Sequence, residues 1–312
     1  MQDDHVLLCI GQARSGTTWL SENLRRTGQF FMPPIKELNY FSTLLYSGEK
    51  SALERVIFGA DRPEPERGDF VNLDAPRWRH FAALIGAAVD GGMRTRDLRA
   101  IDWMWTYLRE PTSFDAYRAL LRLGRPRVTV DCSPEYFILP RHMIEAIREA
   151  LPRAKVVALL RDPMDRLLSH LTLSAAEASM AEAMTIEDWR NFFAAPHSSP
   201  ALRHVWAHCY ADYHVAEWTR AFGPDFHAFA FEDLVERPAD LIKAVCDFAG
   251  VDRPDLPVYD QAHAKVNEAA GAKITLSPEC ASAVRVALAA INTGKAKRLP
   301  PHHPELHGLS DC

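Results

Sequence analysis

The feature that most constrains the fold stands almost at the start of the chain. His5-Val-Leu-Leu-Cys-Ile10 is a short apolar run that ends in Gly11, and helical spacing begins six residues later. A brief apolar run without polar alternation predicts a strand covered on both faces, as in a parallel sheet. From Thr17 to Thr27, Trp19, Leu20 and Leu24 recur at helical spacing, and Gly28 marks the stop. The same unit returns three times. Val128-Thr-Val-Asp131 leads to a helix over 143–151, and Lys155-Val-Val-Ala-Leu-Leu160 runs into Arg161-Asp162-Pro163 and a helix. A strand over 225–231 precedes a helix around 241–249. Strands alternating with helices imply an α/β fold, a central parallel β-sheet flanked by helices, with ligands outside the carboxyl ends of the strands.

At 312 residues the chain is long for one domain, since about 150 residues per domain is usual. The Pro- and charge-rich stretches 59–68 and 194–200 are too short to be linkers. The expected organisation is one domain over 1–312, with helical insertions at the ligand edge over about 78–123 and 186–222. A Pro- and His-rich tail over 294–312 is expected to be mobile. The 36 basic and 41 acidic residues leave a net charge of −5, which argues against a nucleic-acid partner. An anionic ligand must then be held by a local cluster. No apolar run reaches the roughly 18 residues of a membrane span, and Met1-Gln-Asp-Asp4 does not open a secretory signal. Six scattered cysteines without a CxxC pair read as free thiols, and the chain reads as cytoplasmic.

Gly11-Gln-Ala-Arg14-Ser15-Gly16-Thr17-Thr18, followed by Trp19, has the glycine spacing of a phosphate-cradling loop. Its backbone N–H groups would converge on an anion at a helix N-terminus. The nucleotide-triphosphatase form, GxxxxGK[ST], places a lysine where Thr17 stands. Here the cation has moved into the loop, as Arg14. Asp131 is the one strand-end candidate for holding Mg²⁺. The loop therefore suits a 5′-phosphate group better than a metal-chelated triphosphate. A second anion motif is Arg161-Asp162-Pro163-Met-Asp165-Arg166-Leu-Leu-Ser169-His170. Asp162 fits an N-cap and Pro163 the first helical position. Asp162, Arg166 and Ser169 are spaced to share one helix face. Arg161 and Ser169 would grip a second phosphate.

Together the two motifs resemble those of the sulfotransferase family, whose donor is 3′-phosphoadenosine 5′-phosphosulfate (PAPS). The resemblance implies a P-loop-type sheet, a 5′-phosphosulfate loop made of Arg14, Ser15, Gly16, Thr17, Thr18 and Trp19, and a 3′-phosphate site at Arg161 and Ser169. Lys36-Glu37-Leu-Asn-Tyr40-Phe41 is similar to the Lys-Glu motif of carbohydrate and heparan-sulfate members. Asp131-Cys132-Ser133-Pro134-Glu-Tyr136 is similar to their Ser-Pro-x-Tyr segment, and 265–279 to their C-terminal region. The implied catalytic pair is Glu37, as general base, with Lys36. Acceptors would be carbohydrates or small molecules bearing a hydroxyl, the product adenosine 3′,5′-bisphosphate, and no metal is required. Cys132 stands where heparan-sulfate members carry a lysine, and the Thr-His-Leu-Pro acceptor motif of cytosolic members is missing.

Two other functions stay open at this stage: a P-loop kinase-like ATP-dependent phosphotransferase, and a silent nucleotide-binding scaffold. Trp103, Trp105 and Tyr107 read as packing residues rather than a sugar platform. Arg94, Arg96 and Arg99 read as a solvated loop, and His302, His303 and His307 carry little metal signal.

Overall fold

The computed structural model describes residues 5–34, 36–47, 99–109, 113–124, 127–177, 205, 207–254, 276 and 278–292. Within them lie five strands: β1 (Val6–Gly11), β2 (Phe30–Phe31), β3 (Val128–Cys132), β4 (Lys155–Leu160) and β5 (Phe226–Ala230). All pair in parallel, in the order β2-β3-β1-β4-β5. β1 sits at the centre with every residue buried, as its apolar run requires.

Side chains of a strand alternate between faces, and β1 sorts accordingly. Val6, Leu8 and Ile10 join Phe41, Tyr117, Tyr136, Trp218 and Phe222 in one core cluster. Leu7 and Cys9 join Trp19, Leu20, Leu24, Leu241, Ile242 and Val245 in another. The second face is covered by α1 (Thr17–Arg26) and α9 (Pro238–Ala249), with the short α8 (Phe231–Glu236) between β5 and α9. The first is covered by α2 (Tyr40–Ser47), α3 (Arg99–Arg109), α4 (Phe114–Leu123), α5 (Arg141–Ala150) and α7 (Ala211–Phe222). A third cluster joins α6 (Pro163–Glu177) to α10 (Pro278–Asn292) through Met164, Leu167, Leu171, Val284, Leu288 and Ile291. Each such fully buried side chain contributes roughly 1.5–3 kcal/mol.

The four expected strand–helix units are present with shifted ends: β3 extends to Cys132, α5 begins at Arg141, β5 spans Phe226–Ala230 and α9 begins at Pro238. β2 is additional; two phenylalanines give no periodicity to read. α3 and α4 lie in the stretch expected as an insertion over 78–123, and α7 in that over 186–222. Residues 78–98 and 186–204, both Pro-rich stretches, the tail 294–312 with its histidines, and Arg94 and Arg96 lie outside the described residues. Trp103 and Tyr107 are buried and stack with centroids 5.2 Å apart, which makes them packing residues. Cys9, Cys132, Cys209 and Cys246 are free thiols. Among the described residues no helix is long and apolar enough to cross a membrane.

Candidate active site

Gly11 closes β1 at φ 143°, and a Cβ there would lie 2.6 Å from the Leu159 carbonyl oxygen. Only glycine lets the chain leave β1 so close to β4. The loop is then tied down by Gln12, which is buried. Its N–H donates to Leu159 O at 3.2 Å, its Nε2 donates to His208 O at 3.0 Å, and its Oε1 accepts from Arg161 N at 3.1 Å. The Ala13 N–H donates to His208 Nδ1 at 3.3 Å. Arg14 and Gly16 adopt the left-handed region, at φ 72° and 85°. Gly16 caps α1 without a side-chain bond, and the first helical bond runs from Leu20 N to Gly16 O at 3.0 Å. The Thr17 and Thr18 amides thus precede the helical ladder, where the helix dipole favours an anion. Ser15 Oγ is buried without a partner among the described residues.

The second motif folds as its caps predict. Asp162 Oδ1 accepts from Met164 N and Asp165 N, both at 3.0 Å, and Pro163 opens α6. Arg161 lies over the Phe231 ring, 4.6 Å from its centroid, and donates from Nη1 to the Arg14 carbonyl at 3.2 Å. Arg14 Nε in turn donates to Ser169 Oγ at 3.2 Å. The residues expected at the two phosphates therefore meet at one edge, between the carboxyl ends of β1 and β4. Burial lowers the Arg161 pKa, and the like charge of Arg14 lowers it further, against the opposing pull of Asp165, Asp162 and Glu232. Arg161 Nε is buried without a partner among the described residues. Two arginines joined through the Arg14 carbonyl, one with a buried Nε without a partner among the described residues, suit an anion.

Two expectations need correction. The face expected to hold Asp162, Arg166 and Ser169 together is split. Arg166 is fully buried and meets His170 Nδ1 at 3.1 Å, Val205 O at 3.3 Å and Cys209 Sγ at 3.0 Å. It fastens α6 to Val205 and Cys209. The indole of Trp19 belongs to the core cluster beneath β1, because helical spacing turns it inward; only its main chain is available to the loop's ligand.

Lys36 and Glu37 form an ion pair on the segment leading to α2. The Glu37 side chain is about half exposed, at 47%, and its N–H donates to Cys132 O at 3.0 Å. Cys132 Sγ–H donates to Thr17 O at 3.4 Å. One residue at the end of β3 therefore touches both the Lys-Glu segment and the phosphate loop. Burial pushes its thiol pKa up to about 12, with Lys36 opposing and Glu37 and Asp131 adding to the rise. The contact there is a neutral thiol, not a cation. Asp131 is also accounted for: it is buried and accepts hydroxyls from Ser133, Tyr117 and Tyr136.

Sequence reasoning missed the supporting residues. Gln12 stood inside the loop motif, and its polar side chain was a usable signal. His208 and Tyr117 reach the edge only through tertiary contacts, whereas Tyr136 stood in the Ser-Pro-x-Tyr segment and only its bonds to Asp131 and Tyr40 went unread. Among the described residues no cluster of His, Cys, Asp or Glu is arranged to hold a metal ion.

A parallel sheet in this order, with a glycine loop leaving its central strand and arginines beside it, defines a P-loop-like α/β fold. The chain belongs to the sulfotransferase family, whose model matches residues 7–255. Its fold is similar to a sulfotransferase from Alicyclobacillus acidocaldarius, with TM-score 0.55 and 19% identity over 96% of this chain and 97% of that one. It is also similar to a sulfotransferase domain from the curacin biosynthetic pathway, with TM-score 0.50 and 16% identity over 84% and 78% of the two chains. No curated protein matches it in sequence.

Proposed function

We propose that the protein transfers a sulfuryl group from PAPS to a hydroxyl of a carbohydrate or small-molecule acceptor. The observation that carries this reading is the meeting of Arg14, Arg161 and Ser169 across the two motifs, within 3.2 Å contacts. PAPS has a phosphate on either side of its ribose, and one edge that gathers cations from two loops suits both. The 5′-phosphosulfate would take the amides of the loop through Thr18, the Ser15 hydroxyl and Lys36. The 3′-phosphate would take Arg161 and Ser169, with Arg14 lying between the two groups.

In the reaction the acceptor oxygen attacks sulfur and forms the new S–O bond. The bond from sulfur to the bridging oxygen breaks, and that oxygen leaves with the electron pair on adenosine 3′,5′-bisphosphate. The acceptor proton passes to the Glu37 carboxylate. As in phosphoryl transfer, the protein's task is mainly positioning and stabilising charge. Negative charge grows on the bridging oxygen, where Lys36, Arg14 and the helix N-terminus would meet it. Thr17 in the lysine position and the hydroxyl-saturated Asp131 both disfavour the kinase-like alternative. Mass spectrometry of a carbohydrate and small-molecule acceptor panel incubated with PAPS tests the proposal. It predicts a sulfated product and adenosine 3′,5′-bisphosphate in equal amounts. Mg²⁺-dependent ATP turnover with no sulfated product would contradict it.

A further inference from the structure

Asp131 is 1% exposed, yet its carboxylate is crowded with donors. Ser133 Oγ donates to Oδ1 at 2.7 Å, while Tyr117 OH and Tyr136 OH donate to Oδ2 at 2.8 and 2.9 Å. A hydroxyl has one proton to give. Once it is directed at Asp131, only lone pairs face the other way. Ser133 Oγ accordingly accepts from Asn39 N at 3.2 Å, and Tyr136 OH accepts from Tyr40 N at 2.7 Å. With Glu37 N on Cys132 O at 3.0 Å, three amides of segment 37–40 are held along the end of β3 and the turn after it. Glu37 and Asn39 sit at φ 61° and 47°, a region that non-glycine residues keep only when their surroundings hold them. Tyr117 donates to the same carboxylate, but its hydroxyl passes no bond on to segment 37–40.

We infer that Asp131 is a positioning residue for Glu37: it sets the proton direction of the Ser133 and Tyr136 hydroxyls, and these hold the backbone that presents the Glu37 carboxylate. The catalytic part of this inference rests on the Glu37 assignment above, whereas the backbone part does not. A carboxylate suits the role because it accepts all three hydroxyls. An amide in its place would donate to one of them and turn that oxygen's proton toward the Asn39 or Tyr40 N–H. Burial raises the Asp131 pKa while the three hydroxyl bonds pull it down, so the hydroxyls are also what favours its charged form.

The test compares Tyr136→Phe with Tyr117→Phe in the full chain. Each removes one hydroxyl from the same carboxylate oxygen, but only the first cuts the link to segment 37–40. Amide hydrogen exchange by NMR is expected to speed up about 10-fold or more at Tyr40 in Tyr136→Phe and to stay as in the wild type in Tyr117→Phe. With PAPS and a responding acceptor of the panel, Tyr136→Phe and Asp131→Asn should lower kcat roughly 10–100-fold with the KM for PAPS within about 2-fold. Ser133→Ala should behave likewise and Ser133→Thr, which keeps the hydroxyl, should restore turnover. Equal losses in the two tyrosine variants would overturn the inference, because a general loss of stability would explain both. Unchanged exchange at Tyr40 beside an inactive Glu37→Gln would overturn the positioning alone. Faster exchange beside a fully active Glu37→Gln would overturn the base assignment and the catalytic part with it.

Discussion

Segments 11–16 and 36–40 end on the same sheet edge, but they are held in place by different means. The first is held by backbone together with the buried side chain of Gln12 and the His208 ring that accepts Ala13 N. Gly11 fits against Leu159 where no side chain could, Gln12 N joins the edge of β4, and the first amides of the helix that follows precede its hydrogen-bond ladder. The second is held by side chains from elsewhere. Two of its amides, those of Asn39 and Tyr40, rest on the hydroxyls of Ser133 and Tyr136, 94 and 96 residues further along the chain, which answer to a buried carboxylate, while Glu37 N rests on the Cys132 carbonyl. In the proposed reaction a loop that takes the donor's phosphate must repeat one geometry and can rely on peptide groups. If Glu37 serves as the proposed base, its side-chain scaffold lets it be repositioned by changing a few residues under it.

That division can be sharpened or broken by experiment. The largest effect is expected from Glu37→Gln, which should cut turnover about 10²–10⁴-fold and leave adenosine 3′,5′-bisphosphate affinity unchanged by calorimetry. Wild-type turnover would remove Glu37 from the role. On the donor side, Gly11→Ala should cost at least about 3 kcal/mol in denaturant unfolding, because its Cβ meets the rigid backbone of β4. A loss under about 1 kcal/mol would show that the loop is looser than its contacts imply.

Arg161→Ala and Ser169→Ala should weaken PAPS by about 10–100-fold, as expected when charged or hydroxyl partners of a phosphate are removed. Adenosine 5′-phosphosulfate, which lacks the 3′-phosphate, should lose little. Equal losses for both donors would contradict the assignment. The smallest effect concerns the support behind the phosphate loop. His214 donates from Nε2 to Ala207 O at 3.1 Å, next to the His208 that receives Ala13. Burial lowers its pKa to about 4, so the neutral form folds while the unfolded chain takes up the proton. Its contribution is full above the unfolded value near pH 6.5 and is lost as pH falls toward about 4. Stability should drop by about 2 kcal/mol on going to pH 5 from this group, and His214→Gln should flatten that limb in pH-dependent melting curves.

The comparison also explains what was legible in advance. The parallel sheet, the phosphate loop and the capped start of α6 follow from local rules: apolar runs, glycine spacing and Asp-Pro at a helix start. The meeting of Arg14 with Ser169 was implied by two motifs at neighbouring strand ends, although the direction of Arg166 was not. Helical spacing gives a face, but only the packing of Val205 and Cys209 decides which neighbour that face meets. Trp19 buries its ring in the core, so any part it plays in the loop falls to its main chain. Most members of the Asp131 network stood in the Ser-Pro-x-Tyr and Lys-Glu segments, Asp131, Ser133 and Tyr136 in the first and Asn39 and Tyr40 in the second; the hydrogen bonds between those segments, and the part of Tyr117, had no local signature.

The account depends most on two phosphate positions sharing one edge. Calorimetry with wild-type protein in a chelator-containing buffer tests this directly, comparing adenosine 3′,5′-bisphosphate with adenosine 5′-phosphate. The account predicts that the 3′-phosphate tightens binding by about 100-fold, consistent with two or more charge-assisted hydrogen bonds, and that Arg161→Ala erases most of the difference. Equal binding of the two nucleotides by the wild-type protein would contradict it.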